Sequence, residues 1–302
     1  MSALSNEVSE QTTTAPESKE VKSYSAARRR RSILVNVLRV AFIVVIIGGW
    51  ELGTRWVTDA HTKPKPTTLI DSFFWGQPSG IWAQLVTWVT QGTAQGPLWE
   101  QIAVTLEEAI LGFVIGVVLG IIFGVLLGRN RFLADILGPY IKALNAIPRV
   151  VLGPLFIIGL GLGIQSKVAL SVVMVFFIVF FNAFQGVREV DRNLLANARI
   201  LGASQRQLTT QVILPSALSW IIASLHTSFS FALVGAVVSE FLGGLQGIGL
   251  MIQTAGGTFN ANGVFAAMVI LAIVALLMEA LVTALERRLL HWRPNTVSDV
   301  TI

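Results

Sequence analysis

Residues 109–127 read AILGFVIGVVLGIIFGVLL, an apolar run from Ala109 to Leu127 without one charged side chain. A helix needs about 20 such residues to cross roughly 30 Å of hydrocarbon, because without water every backbone N–H and C=O must be paired inside the segment. The run is a membrane span. Within it and at its edge Gly112, Gly116, Gly120, Gly124 and Gly128 recur every fourth residue. On a helix turning ~100° per residue, each glycine stands about 40° round from the last. They form a slowly winding stripe without side chains, along which another backbone can approach closely; a substrate groove is the alternative use of the same stripe.

Outward from this run, Val168–Val187 is equally uncharged, and Val212–Ser239 is so when His226 is neutral. Three further runs are weaker. Ile33–Leu52 holds Asn36 and Arg39 near its start, where a long side chain can snorkel to the head groups, and it follows Arg28-Arg29-Arg30-Arg31. It ends in Trp50-Glu51-Leu52-Gly53-Thr54-Arg55 rather than in a small-residue cleavage site, so an uncleaved anchor is expected in place of a signal peptide. Ala143–Ile164 carries Arg149 and is interrupted by Pro148 and Pro154, which reads as a kinked span; Ala261–Leu281 has Glu279 near one end. The expected fold is all-α, a polytopic membrane bundle of about six transmembrane helices.

Composition agrees. The 302 residues are 53% hydrophobic and 13% charged, with a mean hydropathy of +0.69, whereas a soluble domain carries about 25% charged residues. The net charge of +5 would suggest nucleic acid in a soluble protein. Here the basic residues cluster beside apolar spans, so the expected partner is the lipid bilayer and no nucleic acid. With a cytoplasmic amino terminus, the inside receives Arg28–Arg31, Arg129, Arg131, Lys142, Arg188, Arg192, Arg199, Arg206, Arg287, Arg288 and Arg293, and the outside only Arg55, Lys63, Lys65 and Lys167. Both termini are therefore expected inside. Six tryptophans, Trp50, Trp56, Trp75, Trp82, Trp88 and Trp99, flank or occupy the outer segment between the first two spans. They predict an interfacial helix near Ile81–Val89, with an aromatic ligand cage as the alternative.

Several chemistries are excluded or unsupported. There is no cysteine, so no disulfide, thiolate metal site or thiol nucleophile. His61, His226 and His291 are far apart, and a metal site is not expected. The glycines of Gly243–Gly249 do not form a phosphate loop, since no Gly-Lys pair occurs anywhere in the chain; the polypeptide supplies no ATP site of this kind. Arg149, His226, Glu240 and Glu279 are the ionisable candidates for a coupling-ion site, yet no pairing among them is visible in the sequence. Glu240 and Glu279 are expected near span ends, where contact with water costs little.

One polar stretch carries more. Arg188–Ser216 is too polar for a membrane and too short for a domain. Val190, Leu194, Ala198 and Leu201 fall within about 80° on a helix, giving a short amphipathic helix. Gly202 suits its carboxyl-terminal cap, and Ser204-Gln205-Arg206-Gln207 fits the capping box of a following helix. That second helix runs toward Val212-Ile213-Leu214-Pro215, where proline can kink the path into the next span. Helix, glycine turn, helix is the expected local geometry. From spacing alone an interfacial linker on lipid head groups is an equal reading.

The register of this stretch resembles the cytoplasmic signature of bacterial ABC-importer membrane subunits: E-A-A, three residues, Gly, nine residues, I-x-L-P. Here Ala196-Asn197-Ala198 is followed by three residues, Gly202, nine residues and Val212-Ile213-Leu214-Pro215. Ala146-Ile147-Pro148, Pro154-Leu155, Gly159-Leu160-Gly161, Ser166-Lys167-Val168, Asn182–Asp191 and Gly247-Ile248-Gly249-Leu250 are similar to the branch handling nitrate, taurine and aliphatic sulfonates. Two positions depart: the Glu and first Ala of the signature are Ala196 and Asn197, so any contact made through that Glu is absent.

The resemblance implies a type I ABC importer fold and the role of permease in the bacterial plasma membrane, the cell inner membrane. The partners it implies are a cytoplasmic ABC ATPase dimer, a second copy of the chain and an extracytoplasmic substrate-binding protein. ATP and Mg would bind the ATPase and no cofactor this chain. Ala196, Asn197, Ala198, Arg199, Leu201, Gly202, Ala203, Ser204, Leu214 and Pro215 would form the ATPase-coupling surface. Asn145, Asn182, His226, Ser228 and Ser230 are candidates for the pathway, and helix packing accounts for each equally. The expected organisation is a disordered basic cytoplasmic tail (1–32), a first anchor (33–52), an outer segment (53–100), a permease core (101–290) with its coupling helix at 189–208, and a cytoplasmic tail (291–302). An ion-coupled secondary transporter or channel is the competing reading; a membrane enzyme would need a clustered catalytic set, and none is visible.

Overall fold

The computed structural model describes residues 17–59 and 72–289. The chain divides into two units, before and after residue 70. The first is one long helix, α1 (Glu17–Asp59), whose apolar part Arg30–Trp56 is long enough to span a bilayer. The helix begins well before the expected anchor, inside the stretch read as a disordered tail. Glu, Lys, Ala and Arg are good helix formers, and a span already nucleated propagates into them at little cost. The rest of that tail (1–16) and the carboxyl tail (291–302) lie outside the described residues.

The second unit is also helical, with no strand among the described residues. In chain order it comprises α2 (Ser72–Trp75), α3 (Pro78–Gln91), α4 (Leu98–Arg129), α5 (Arg131–Ala146), α6 (Leu152–Leu160), α7 (Ile164–Arg188), α8 (Arg192–Ile200), the single turn α9 (Gln205–Gln207), α10 (Leu214–Gly243), α11 (Ile248–Gly257) and α12 (Ala261–Leu289). Five described helical stretches, counting α1, are long and apolar enough to cross a membrane, and α5 with α6 forms a sixth span if taken together across a 79° bend.

The glycine stripe of α4 sets the core. Gly112, Gly116, Gly120, Gly124 and Gly128 face Ser171, Val175, Val179, Ala183 and Val187 of α7, each glycine meeting the residue fifty-nine positions later. A β-carbon on Gly116, Gly120 or Gly124 would stand 2.7 Å from that of its partner, and on Gly128 2.9 Å. The stripe is therefore filled by a neighbouring helix and is not a substrate groove. In lipid, where apolar burial no longer drives helices together, this close approach supplies the dispersion contact that does.

A constant offset means that α4 and α7 run parallel. The intervening chain must then return across the bundle, which assigns a crossing to α5 and α6. α10 runs antiparallel to α7: Gly186 packs on Ala217 and Trp220, and Gly235 on Ser171. α12 is in turn antiparallel to α10, because Leu233 and Ala236 pack on Leu271 and Ala275 while the earlier His226 meets the later Glu279 and Glu286. The ends of α4, α7 and α12 and the start of α10 therefore share one side with α8, hereafter the elbow end. The opposite, far end carries α2, α3 and α11; Gln77 N–H donates to Asn262 Oδ1 (2.8 Å), fixing the short helices to the start of α12.

The third span differs from the expected Ala143–Ile164. Its first helix starts at Arg131 and breaks at Ile147–Pro148, so the expected segment straddles the break. Ile147 is extended (φ −70°, ψ 128°), as the residue before a proline prefers, and Arg149–Val151 forms a 3-10 turn leading into α6. Arg131, Asp135 and Lys142 hid α5 from a hydropathy reading. Pro154 lies in the first turn of α6, where a missing N–H is harmless.

Candidate functional site: the elbow and two polar clusters

The elbow is built from Val190 to Leu214. Asp191 caps α8 by accepting from Asn193 N–H (2.8 Å). At the other end Ala203 N–H donates to Ala198 O (3.0 Å) and Gly202 N–H to Arg199 O (3.0 Å), the paired bonds of a Schellman motif. Gly202 takes φ +82°, as that motif requires. Ser204 and Gln207 then form the expected capping box: Gln207 N–H donates to Ser204 Oγ (3.3 Å) and Ser204 N–H to Gln207 Oε1 (2.8 Å).

Two details depart from the sequence reading. After α9 the chain passes through a π-helical stretch, Leu208–Ile213, and runs without a helical break into α10, with Pro215 in its first turn. Nor does the expected apolar face turn inward as a unit. Val190 is buried, but Leu194 and Leu201 are exposed, and Ile200, which the sequence reading passed over, is 82% exposed beside Leu201 at 86%. Leu208, buried to 2%, anchors the elbow from below. Ala196, Asn197 and Arg199 are exposed, Ala198 and Ala203 half-buried. Arg199 and Arg206 add two exposed positive charges to the same elbow.

Ser204→Ala removes one capping-box partner, worth about 1 kcal/mol. Exchange of the Gln205–Gln207 amides with deuterium should quicken about fivefold, while helices away from the elbow keep their rates.

At the far end lies a cluster that sequence reasoning missed. Glu240, expected at a wet span end, is fully buried, because Gly244–Gly249 folds back over it. Its carboxylate accepts from Thr105 Oγ1–H (2.7 Å) and Gly249 N–H (2.6 Å). Gly247 N–H donates to Gln101 Oε1 (2.9 Å) and Ile248 N–H to Thr105 Oγ1 (2.9 Å). The Glu108 carboxyl faces that of Glu240, and the buried Lys167 ammonium donates to the carbonyls of Leu162 and Gly243. The signal was present in the sequence as Gly247-x-Gly249: a β-carbon at either position would run into Glu240. This cluster clamps the start of α11 to α4, α7 and α10.

The pathway candidates are scattered. Asn182 donates to Ile178 O of its own helix (2.8 Å), Ser230 Oγ lies 3.4 Å from His226 O, and Ser228 is buried with no hydrogen-bond partner among the described residues. His226, for which no pairing was visible in the sequence, bridges Glu279 (2.7 Å) and Glu286 (2.6 Å), tying α10 to α12. Asn145 accepts from the Arg149 guanidinium. No group of three or more His, Cys, Asp or Glu able to hold a metal occurs among the described residues.

Comparison with known proteins shows the family. The family described as "Binding-protein-dependent transport system inner membrane component" matches residues 116–291, more than half the chain and all of the elbow. The chain belongs to this family. It is similar to a putative aliphatic sulfonates transport permease of Bacillus subtilis (33% identical, covering 88% of this chain and 90% of that one). It is also similar to a riboflavin transport system permease of Chloroflexus aurantiacus (35%; 84% and 89%) and to a taurine transport system permease of Escherichia coli (32%; 79% and 86%). Among solved structures, a chain of the MetNI methionine ABC transporter in an inward-facing form shares the fold, with a TM-score of 0.52 at 22% identity over 63% of this chain and 93% of that one. The protein is thus a multi-pass membrane permease subunit of an ABC importer, with the helical architecture of type I importers.

Proposed function

We propose that this permease forms, with a second copy of itself, the path by which a small sulfonate-bearing solute enters a bacterial cell, driven by a separate ATPase dimer docked on the elbow. The carrying observation is the presentation of Ile200 and Leu201: two aliphatic side chains held outward by a Schellman turn, with the exposed Arg199 and Arg206 on the same elbow, on the side where Arg129, Arg188 and Arg288 also end. Burying each in a partner groove would contribute about 1.5–3 kcal/mol. A rigid stem running through Leu208 into α10 suits the elbow to carry movement from that partner into the bundle. The arginine-rich end is the cytoplasmic one by the positive-inside rule, which puts both termini inside. The solute class rests on the sulfonate and taurine permeases among the relatives.

In this scheme ATP and Mg bind the partner, and a binding protein on the outside delivers the solute to the far end. The organisation is then an anchor helix that begins at Glu17, an outer segment, and a permease core carrying the elbow. A far-end carboxylate would suit an ion-coupled carrier, but that of Glu240 is fully buried and already engaged by Thr105 Oγ1–H and Gly249 N–H. In proteoliposomes, uptake of radiolabelled taurine or ethanesulfonate is expected only when the ATPase subunit, ATP and the binding protein are all present. Uptake driven by an ion gradient without the ATPase would overturn the proposal.

A further inference from the structure

Arg149 stands at the break between α5 and α6, and its guanidinium carbon lies 5.2 Å from the ring centroid of Phe177. Phe177 is halfway along α7 (Ile164–Arg188), so this charge sits near the middle of the membrane. Its side-chain hydrogen-bond partner is Asn145, four residues earlier on α5. The carboxylates that could neutralise it are engaged elsewhere: Glu279 with His226, and Glu240 with Thr105 and Gly249. Among the described residues Arg149 forms no ion pair. An unpaired guanidinium at this depth is costly and is tolerated only where it faces protein or water. The same holds for non-helical backbone at membrane depth, and the break at Ile147–Pro148 supplies that too, with Ile147, Val150 and Val151 exposed.

We propose that Arg149 and Asn145 form a mid-membrane station for the anionic head of the transported solute, a sulfonate or similar singly charged oxoanion. The inference rests on the importer reading, which brings such an anion past this depth. Phe177 lies against the guanidinium and Asn145 takes one of its donors, leaving other N–H donors for a ligand. Two parallel donors match two oxygens of an oxoanion, a geometry a lysine could not offer. The neighbouring Asn145 amide adds an N–H donor, since its oxygen already accepts from Arg149. A station with one cation and no carboxylate attracts an anion from either side and releases it without having to break a permanent ion pair.

The chain contains no cysteine, so Asn145→Cys introduces a single thiol beside the guanidinium. The test compares modification of this thiol by an anionic reagent, 2-sulfonatoethyl methanethiosulfonate, and a cationic one, the trimethylammonium analogue. It uses the permease in complex with its ATPase, with and without nucleotide, and Ser216→Cys as an exposed reference. The anionic-to-cationic rate ratio at Asn145→Cys is expected to exceed that of the reference by about tenfold. Adding Arg149→Gln should erase that excess, and adding Arg149→Lys should keep most of it. A ratio indifferent to Arg149→Gln would mean that a carboxylate of the second copy already neutralises the charge, and would overturn the proposal. Failure to modify the thiol in either nucleotide state would overturn it as well, since the site would then be sealed in protein. Both readouts are independent of whether ATP drives uptake, so a failure here is separable from a failure of the importer reading.

Discussion

Gly120→Leu is expected to leave the permease without a folded core. Gly120 lies at the centre of the α4–α7 contact, where a β-carbon alone would stand 2.7 Å from the Val179 β-carbon and 3.1 Å from the Phe176 carbonyl oxygen. Neither neighbour can yield: Val179 is fully buried and β-branched, with one preferred rotamer in a helix, and the carbonyl is part of α7 itself. The two helices must separate, and separation at one glycine opens the contact at Gly116 and Gly124 as well. Overpacking of a single core site costs about 1–3 kcal/mol, and here the loss propagates along the stripe. The variant should fail to give a monodisperse species in detergent and should lose its cooperative thermal transition. Gly159→Leu is the control, because no heavy atom lies within 4 Å of its built β-carbon; it should fold as the parent does. Normal unfolding of Gly120→Leu would mean that α4 and α7 are not packed backbone to backbone.

Glu240→Ala carries the second large effect. Removing the carboxylate strands the buried Gly249 N–H, leaves Thr105 Oγ1–H with only the Gln101 carbonyl (3.1 Å), and leaves Lys167 with only carbonyl partners and Glu108. Breaking a buried charged network by deleting one member costs about 3–5 kcal/mol. The loss should be local first, since it frees the Gly244–Gly249 segment from α4 while the glycine stripe stays packed. Hydrogen exchange should rise across Ile248–Gly257 before global unfolding, with a lower transition temperature. Glu240→Gln keeps an acceptor for one of the two donors and should fall between parent and alanine. Unchanged exchange in α11 would show that the cluster does not hold the far end.

The membrane spans and the elbow were legible because their signals are local: apolar length, charge placement, a capping box and a glycine at a helix end all lie within a few residues of what they specify. The glycine stripe was legible as a packing surface, but its partner was not. α7 presents its own row at the same spacing, Ser171, Val175, Val179, Ala183 and Val187, and nothing in either row says whether the helices run parallel. That direction follows only from the constant offset, and with it the crossing assigned to α5 and α6. The far-end cluster was hidden for a related reason. Thr105 and Glu240 are separated by 135 residues, and Glu108 falls just outside the uncharged run, where an acidic residue reads as a wet helix end. His226 and its two glutamates, 53 and 60 residues away, were hidden in the same way. Ile200 was overlooked because periodicity ranks residues by the face they share, whereas its exposure comes from the turn that ends α8.

The account turns on the elbow being the seat of the ATPase, and one labelling measurement reads that directly. Leu201→Cys places a lone thiol at the tip of the elbow. In vesicles with the cytoplasmic face outward, a membrane-impermeant maleimide should label it readily, and adding the ATPase subunit should slow labelling at least about tenfold; vesicles of the opposite orientation should not be labelled. Labelling from the extracytoplasmic side, or an unchanged rate with saturating ATPase bound, would contradict the account.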